Sequence, residues 1–205
     1  QIAWITAFAD YDILVLSIDV AVHAVKGDLT NNETVSFWRD QIRSGRVAGK
    51  ISGPPCESWS AARYLAIPDM PRAPLPLRSR EWPWGLSGLS SRNYRQLQLA
   101  NSLLFISFNF TLELMKSGGF ALTEHPAEPA HIIRAPSIWR LPQFAWLKGA
   151  SSITSFVFNQ GLHGQVSKKP TRLMALRLPT LQLHLSKPQG VIDTVIAKKL
   201  GGWDY

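Results

Sequence analysis

The sequence predicts an α/β fold: a mostly parallel sheet with packed helices and an antiparallel hairpin near the C-terminus. Three observations carry this prediction. Short continuous apolar runs, the pattern of strands buried on both faces, alternate with stretches of helical period. The links between them are short, giving strand–helix–strand order. Near the C-terminus, 153–158 and 171–178 flank a turn containing Gly161 and Gly164, which reads as a hairpin. With 205 residues and 45 % hydrophobic content, the chain fits one globular domain with a sizeable core.

In chain order, Ile13–Ile18 is read from the run Ile-Leu-Val-Leu-Ser up to Asp19 as the first buried strand, and Val22–Val25 as a second short run. Residue 18 is the isoleucine that precedes Asp19. Thr30 and Glu33 have capping-box spacing, so a helix is expected from Thr30. Val35, Trp38 and Ile42 mark its apolar face and Gly45 its stop. A strand from Val47 to Ile51 follows. From about residue 66 to 92 the chain is rich in proline, arginine and tryptophan, with regular structure largely excluded. Tyr94–Lys116 is a long, largely buried helix ending at Gly118-Gly119. Phe120–Thr123 is another buried strand, with Glu124 at its end. Residues 128–148 mix prolines with tryptophan and isoleucine and read as short helix and loop, and 191–200 as a short terminal helix.

The only cysteine, Cys56, lies just past a strand end in Gly53-Pro54-Pro55-Cys56-Glu57-Ser58-Trp59-Ser60. Two prolines cannot continue a ladder, so the chain must turn there and hold the thiol out. A lone cysteine is otherwise often a buried apolar residue; the Gly-Pro-Pro frame favours the exposed reading. Asp19, at the end of an apolar run, is placed either for a ribose hydroxyl or as a solvated loop carboxylate. The formal net charge of +8 suits an acidic partner, above all nucleic acid, or serves solubility. Arginines interleaved with Trp82 and Trp84 suit phosphates and unstacked bases, or else form an insertion without a role.

Single-cysteine usage excludes an internal disulfide framework and suits a reducing intracellular compartment, the nucleus in a eukaryotic cell and the cytoplasm otherwise. No uninterrupted apolar stretch reaches bilayer length, so no membrane is expected as partner. No histidine–carboxylate cluster accompanies the cysteine, so no metal is expected either. The opening Gln1-Ile2-Ala3-Trp4 has no starting methionine and reads as a cut inside a larger protein.

Gly53-Pro54-Pro55-Cys56 resembles the nucleophile motif of the cytosine-5 methyltransferases. Thr123-Glu124-His125-Pro126 is similar to that family's glutamate motif, usually Glu-Asn-Val, with His125 and Pro126 as departures. Gly27-Asp28-Leu29 resembles the motif whose aspartate meets the adenine of S-adenosylmethionine, and Asn101-Ser102-Leu103-Leu104 the start of a cofactor-side helix. Lys168-Lys169-Pro170-Thr171-Arg172 lies where the family keeps a basic motif beside the flipped base, with Gln165 and Arg172 both open as its counterpart.

The resemblance implies a Rossmann-like, S-adenosylmethionine-dependent methyltransferase core acting on DNA, with RNA left open because structured RNAs are modified by the same thiolate chemistry. It implies Cys56 as nucleophile and Glu124 as the acid at cytosine N3. Asp19, Asp28, Leu29, Pro54 and Leu104 would meet the cofactor, and Arg78, Lys169 and Arg172 the nucleic acid. A lowered thiol pKa is expected if Cys56 meets such cations. The family's glycine-rich first motif is absent, as is a sizeable target-recognition region after Arg172, so a piece of the catalytic domain is expected. Two rivals remain: a non-catalytic nucleic-acid-binding remnant, and a cysteine hydrolase with His125 as base for Cys56.

Overall fold

The computed structural model describes residues 13–65, 74–165 and 169–185. Four strands form one sheet: β1 (Gly49–Ser52), β2 (Phe120–Pro126), β3 (Ile153–Asn159) and β4 (Pro170–Leu176), in the order β1-β2-β4-β3. Only β1 and β2 run parallel; β4 is antiparallel to both β2 and β3. The sheet is therefore mixed and mostly antiparallel, which corrects the expectation of a mostly parallel one. The cause is twofold. The 13–18 run adds no strand, and β4 returns from the hairpin into the gap between β2 and β3 instead of lying outside β3. Among the described residues no strand pairs with the outer side of β1, and Ile51 on it is 69 % exposed.

Helix α1 (Asn32–Arg43) is capped one residue later than the Thr30 capping box predicts. Asn31 is the cap, its side-chain oxygen accepting from the Glu33 and Thr34 amides at 2.8 and 3.3 Å. Thr30 is engaged elsewhere, its hydroxyl donating to Asp28 Oδ1 at 2.6 Å. Helix α2 (Ser91–Ser117) buries Leu97, Ala100, Leu104, Ser107, Thr111 and Leu114, a three-four repeat that gives one continuous stripe. Gly118 ends it in the left-handed region at φ 86°, where a side chain would be strained. Arg43 clamps Glu113 with two bonds of 3.1 and 2.7 Å, tying α1 to α2. A short helix α3 (Pro142–Lys148) follows a 3-10 turn at Ile138–Arg140, and α4 (Leu181–Leu185) comes last.

Strand alternation divides the sheet into two faces. Ala121 of β2, Met174 and Leu176 of β4 and Ile153 of β3 join Leu104, Leu114, Trp139, Phe144 and Leu147 in one core. On the same face Lys50 Nζ donates to Ser52 Oγ and Ser107 Oγ, each at 2.9 Å; burial without a carboxylate partner lowers its pKa to about 7. Leu122 and Glu124 point to the other face.

The region 13–30 departs furthest from expectation. Residues 13–18 make no ladder, and Leu14 and Leu16 are 77 % and 59 % exposed. An apolar run becomes a strand only where a neighbour takes its amides and carbonyls, and none does so among the described residues. Val22–Val25 lies in turns. Asp19 consequently sits at the start of a turn, its carbonyl accepting from the Val22 and His23 amides and its side chain from Ala21. Strand β2 runs three residues past Thr123, because β4 continues its ladder to Thr171, so Glu124 lies within the strand instead of after it. The proposed terminal helix at 191–200 lies outside the described residues. Among those described, no helix is long and apolar enough to cross a membrane.

Candidate active site

The register of β1 and β2 sets the site. Ser52 pairs with Thr123, so the first residue of the Pro-Pro-Cys loop emerges beside Glu124. A side-chain carbon on Gly53 would lie 3.4 Å from Glu124 Oε2. Pro54 is buried and Cys56 is half-buried. The loop closes by a turn, Trp59 N donating to Cys56 O at 2.9 Å, and Trp59 itself goes into the core at 2 % exposed.

Arg78 fastens this loop from behind. Fully buried, it lies 4.0 Å over the Trp59 ring and donates from Nε to Ser58 Oγ at 3.0 Å. Its Nη1 donates to Pro83 O and Asn101 Oδ1, both at 2.7 Å, while its own carbonyl accepts from the Tyr64 hydroxyl. Every one of these partners is neutral, and burial lowers the guanidinium to about 9, still charged at neutral pH. Arg78 is thus a pin between the proline-rich segment, α2 and the Cys56 loop. The expectation of a surface phosphate contact is corrected, because such a residue has no face left for a ligand.

The Glu124 carboxylate is held on one oxygen. Gln160 Nε2 donates to Oε1 at 3.2 Å, and Lys169 Nζ lies 3.7 Å from the same atom. Lys169 is held at φ 30°, unusual for a residue with a side chain. Cys56 feels this group directly. Burial raises its thiol pKa, Lys169 pulls it down, and Glu124 and Glu57 raise it further. A thiol and a carboxyl separated widely in sequence therefore share one electrostatic neighbourhood at the carboxyl edge of β1. The expected lowered thiol pKa is corrected: desolvation and two carboxylates outweigh one lysine, so the resting group at neutral pH is the thiol.

His125 follows Glu124 in β2 and so projects to the opposite face. It is 1 % exposed, edge-on to Trp59 and Trp139 at 6.2 and 6.3 Å, and its Nε2 is buried without a hydrogen-bond partner. Burial, with Arg78 and Lys169 adding to it, lowers its pKa to about 3. This histidine is enclosed by two indoles on the face opposite Glu124 and makes no hydrogen bond to Cys56 through Nε2, so the hydrolase arrangement gains no support.

The remaining predicted residues divide. Arg172 pairs with His125 in the ladder and donates to Ser155 Oγ at 3.3 Å, so it faces away from Glu124 and is no partner for it. Asn101-Ser102-Leu103-Leu104 is mid-helix, not a helix start; Leu104, 2 % exposed, belongs to the core and cannot touch a cofactor. Asp19 and Asp28 stand together in the 19–30 turns. A side chain on Gly27 would fall 2.2 Å from the Asp19 carbonyl oxygen, so that glycine lets the segment fold tightly on itself. Asp28 is half-buried, and its hydrogen bonds from the Thr30 hydroxyl and amide lower its carboxyl pKa. Leu29 packs partly against the core. Gln165 is described but contacts the site through no side-chain bond, its amide reaching back to Gln160 O at 3.3 Å. Lys168 lies outside the described residues.

Gln160 is the residue that the pattern of the sequence does not announce. Its only signal is its position immediately before Gly161, where β3 gives way to the hairpin turn opposite Lys169. No group of three or more histidine, cysteine, aspartate or glutamate side chains is arranged to hold a metal ion among the described residues. No family model, curated protein or solved structure matches this chain, so the geometry of Cys56, Glu124, Gln160 and Lys169 stands as the basis for its function.

Proposed function

We propose that this chain is a Rossmann-like catalytic core of a DNA cytosine-5 methyltransferase. The observation that carries the reading is the approach of the Pro-Pro-Cys loop to Glu124, with Gly53 beside Oε2 and Cys56 within electrostatic reach of both Glu124 and Lys169. Cytosine C5 is a poor nucleophile. The Cys56 thiol gives up its proton as its sulfur bonds to C6 of a base taken out of the helix, which makes C5 enamine-like. Glu124 passes a proton to N3 as negative charge develops there, so that one proton leaves sulfur and one arrives on the ring. Gln160 and Lys169 hold Oε1, leaving Oε2 turned toward the Cys56 loop. After C5 is substituted, loss of its hydrogen and expulsion of the sulfur restore the ring and the free thiol.

S-adenosylmethionine supplies an electrophilic methyl group when bound. Asp19, exposed, and Asp28, half-buried, are acceptors on one tightly turned segment and suit ribose hydroxyls and an adenine amine; these two carboxylates would hold it. Leu29, half turned to the core, and Pro54, buried, offer at most apolar contact.

Exchange of the cytosine C5 hydrogen for solvent deuterium tests the reading, because it needs the thiol and the carboxyl and no methyl donor. The expected outcome is exchange by the wild-type chain on single-stranded DNA, loss in Cys56→Ser and retention in His125→Ala. Absence of exchange in the wild type overturns the reading. With iodoacetamide, Cys56 alkylation should rise with pH later than for a free thiol, and Lys169→Met should delay it further.

A second reading is a non-catalytic nucleic-acid-binding core, favoured by the turn-rich 13–30 segment with its solvent-facing apolar side chains. Calorimetry with S-adenosylmethionine separates the two: such a core binds DNA in a salt-dependent way and no cofactor.

A further inference from the structure

Away from Cys56 and Glu124, a cavity of about 110 Å³ opens between the proline-rich segment and the stretch leading into α3, lined by Arg80, Pro83, Trp84, Ser137, Arg140 and Pro142 among others. Two guanidinium groups sixty residues apart in the chain therefore border one hollow. The segment that carries Arg80 is built, not slack. Ser79 and Trp82 close a turn through two bonds of 3.2 and 3.0 Å, Leu86 N donates to Leu77 O at 2.9 Å, and Arg80 N donates to Arg134 O at 2.9 Å. Arg80, Arg134 and Arg140 are all exposed.

The charge around the hollow is unbalanced. Glu81 is the carboxylate that feels Arg80 and Arg134, and its low pKa comes first from its own backbone amide and the Ser79 hydroxyl. Beneath the segment lies Arg78, a buried cation whose hydrogen-bond partners are all neutral and whose Nη2 has none. Beside the hollow, Trp82 is 67 % exposed, while Trp84 is stacked on Phe105 at 4.9 Å and 14°. Two exposed arginines on one hollow, Arg140 donating to Ala135 O at 3.4 Å, with excess positive charge and an open indole, together match one ligand chemistry, a phosphodiester with a base next to it.

We propose that this cavity binds a backbone phosphate of a nucleic-acid strand through Arg80 and Arg140, with Trp82 as the stacking surface for an adjacent unpaired base. The proposal rests on the nucleic-acid reading above and adds the surface along which the strand runs. Arg78 joins the two places, since it packs on Trp59 of the Cys56 loop and bonds Pro83 at the cavity rim.

The test is fluorescence anisotropy of the full chain with a labelled single-stranded 20-mer over a salt series. Removing both charges in Arg80→Gln/Arg140→Gln should reduce the log–log salt slope by about 1.4, two phosphate contacts at the single-strand value. Arg80→Lys/Arg140→Lys should keep the slope, and Trp82→Leu should weaken binding about tenfold with the slope unchanged. Circular dichroism checks that the exposed-site variants fold, and Arg46→Gln, just past the C-terminus of α1 and not in the cavity lining, is the control for generic charge loss. A double-variant slope equal to wild type overturns the site while leaving salt-dependent DNA binding, and hence the nucleic-acid reading, in place. Equal competition by millimolar inorganic phosphate at constant ionic strength overturns the polymer assignment in favour of a free-anion site. Absence of any salt-dependent binding by the wild type overturns both, and the deuterium-exchange result then separates failure here from failure of the chemistry.

Discussion

The edge around Cys56 and the 13–30 segment were both read from the same kind of signal, a short apolar run ending in a chemically useful residue. They came out differently. The 47–51 run became β1 and was locked to β2 residue by residue, so the loop that follows is delivered to Glu124 at a fixed height. The 13–18 run has no ladder, and its aspartate is set by a local turn instead of by the sheet. The difference teaches that an apolar run states only a capacity for burial. Its partner decides whether the residue at its end acquires a position.

The sharpest way to break this contrast is chemical. Glu124→Gln should lower the C5 exchange rate by about 10²- to 10⁴-fold, while Asp19→Asn should leave it unchanged because exchange needs no cofactor. Equal losses in both would abolish the distinction between the two regions. Next comes acid stability. His125 is neutral in the fold with a pKa near 3 against an ordinary 6.5, so the unfolded chain binds more protons between these values and stability falls as pH drops from 6.5 to 3. The loss is on the order of 3–5 kcal/mol, and His125→Phe should flatten it in chemical denaturation at stepped pH. Third, Leu104→Ala should cost about 2–5 kcal/mol as a core cavity, the sign of a packing residue and not a cofactor contact. Smallest of all, Leu14→Ser should change stability by less than about 0.5 kcal/mol, because that side chain faces solvent. A larger loss would mean that the 13–18 run is packed after all.

Much of the fold could be read from residues with a strong local preference. The Pro-Pro stop after β1, the Gly118 helix end, the buried stripe of α2 and the C-terminal hairpin all depend on neighbours within a few positions. What stayed hidden depended on partners far away. That β2 extends past Glu124 follows from β4 reaching Thr171, and the inward turn of Arg78 follows from Trp59 and Asn101, neither of which marks an arginine in a proline-rich stretch as buried. The same holds for the site. Cys56 was legible as a residue just past a strand, and Glu124 as one near a strand's end although β2 runs on to Pro126. Gln160 was not legible, since nothing short of the hairpin geometry brings it to Oε1. Arg172 stands on the face opposite Glu124, because a period of two sends neighbouring strand positions to opposite faces.

The open flank of β1 has a practical consequence. A short strand whose outer amides and carbonyls meet no ladder among the described residues, with Ile51 turned to solvent, is a template for another chain to add to. Concentrated solutions of this polypeptide should therefore self-associate through edge-to-edge pairing, and Ile51→Lys should keep them monomeric in sedimentation velocity runs.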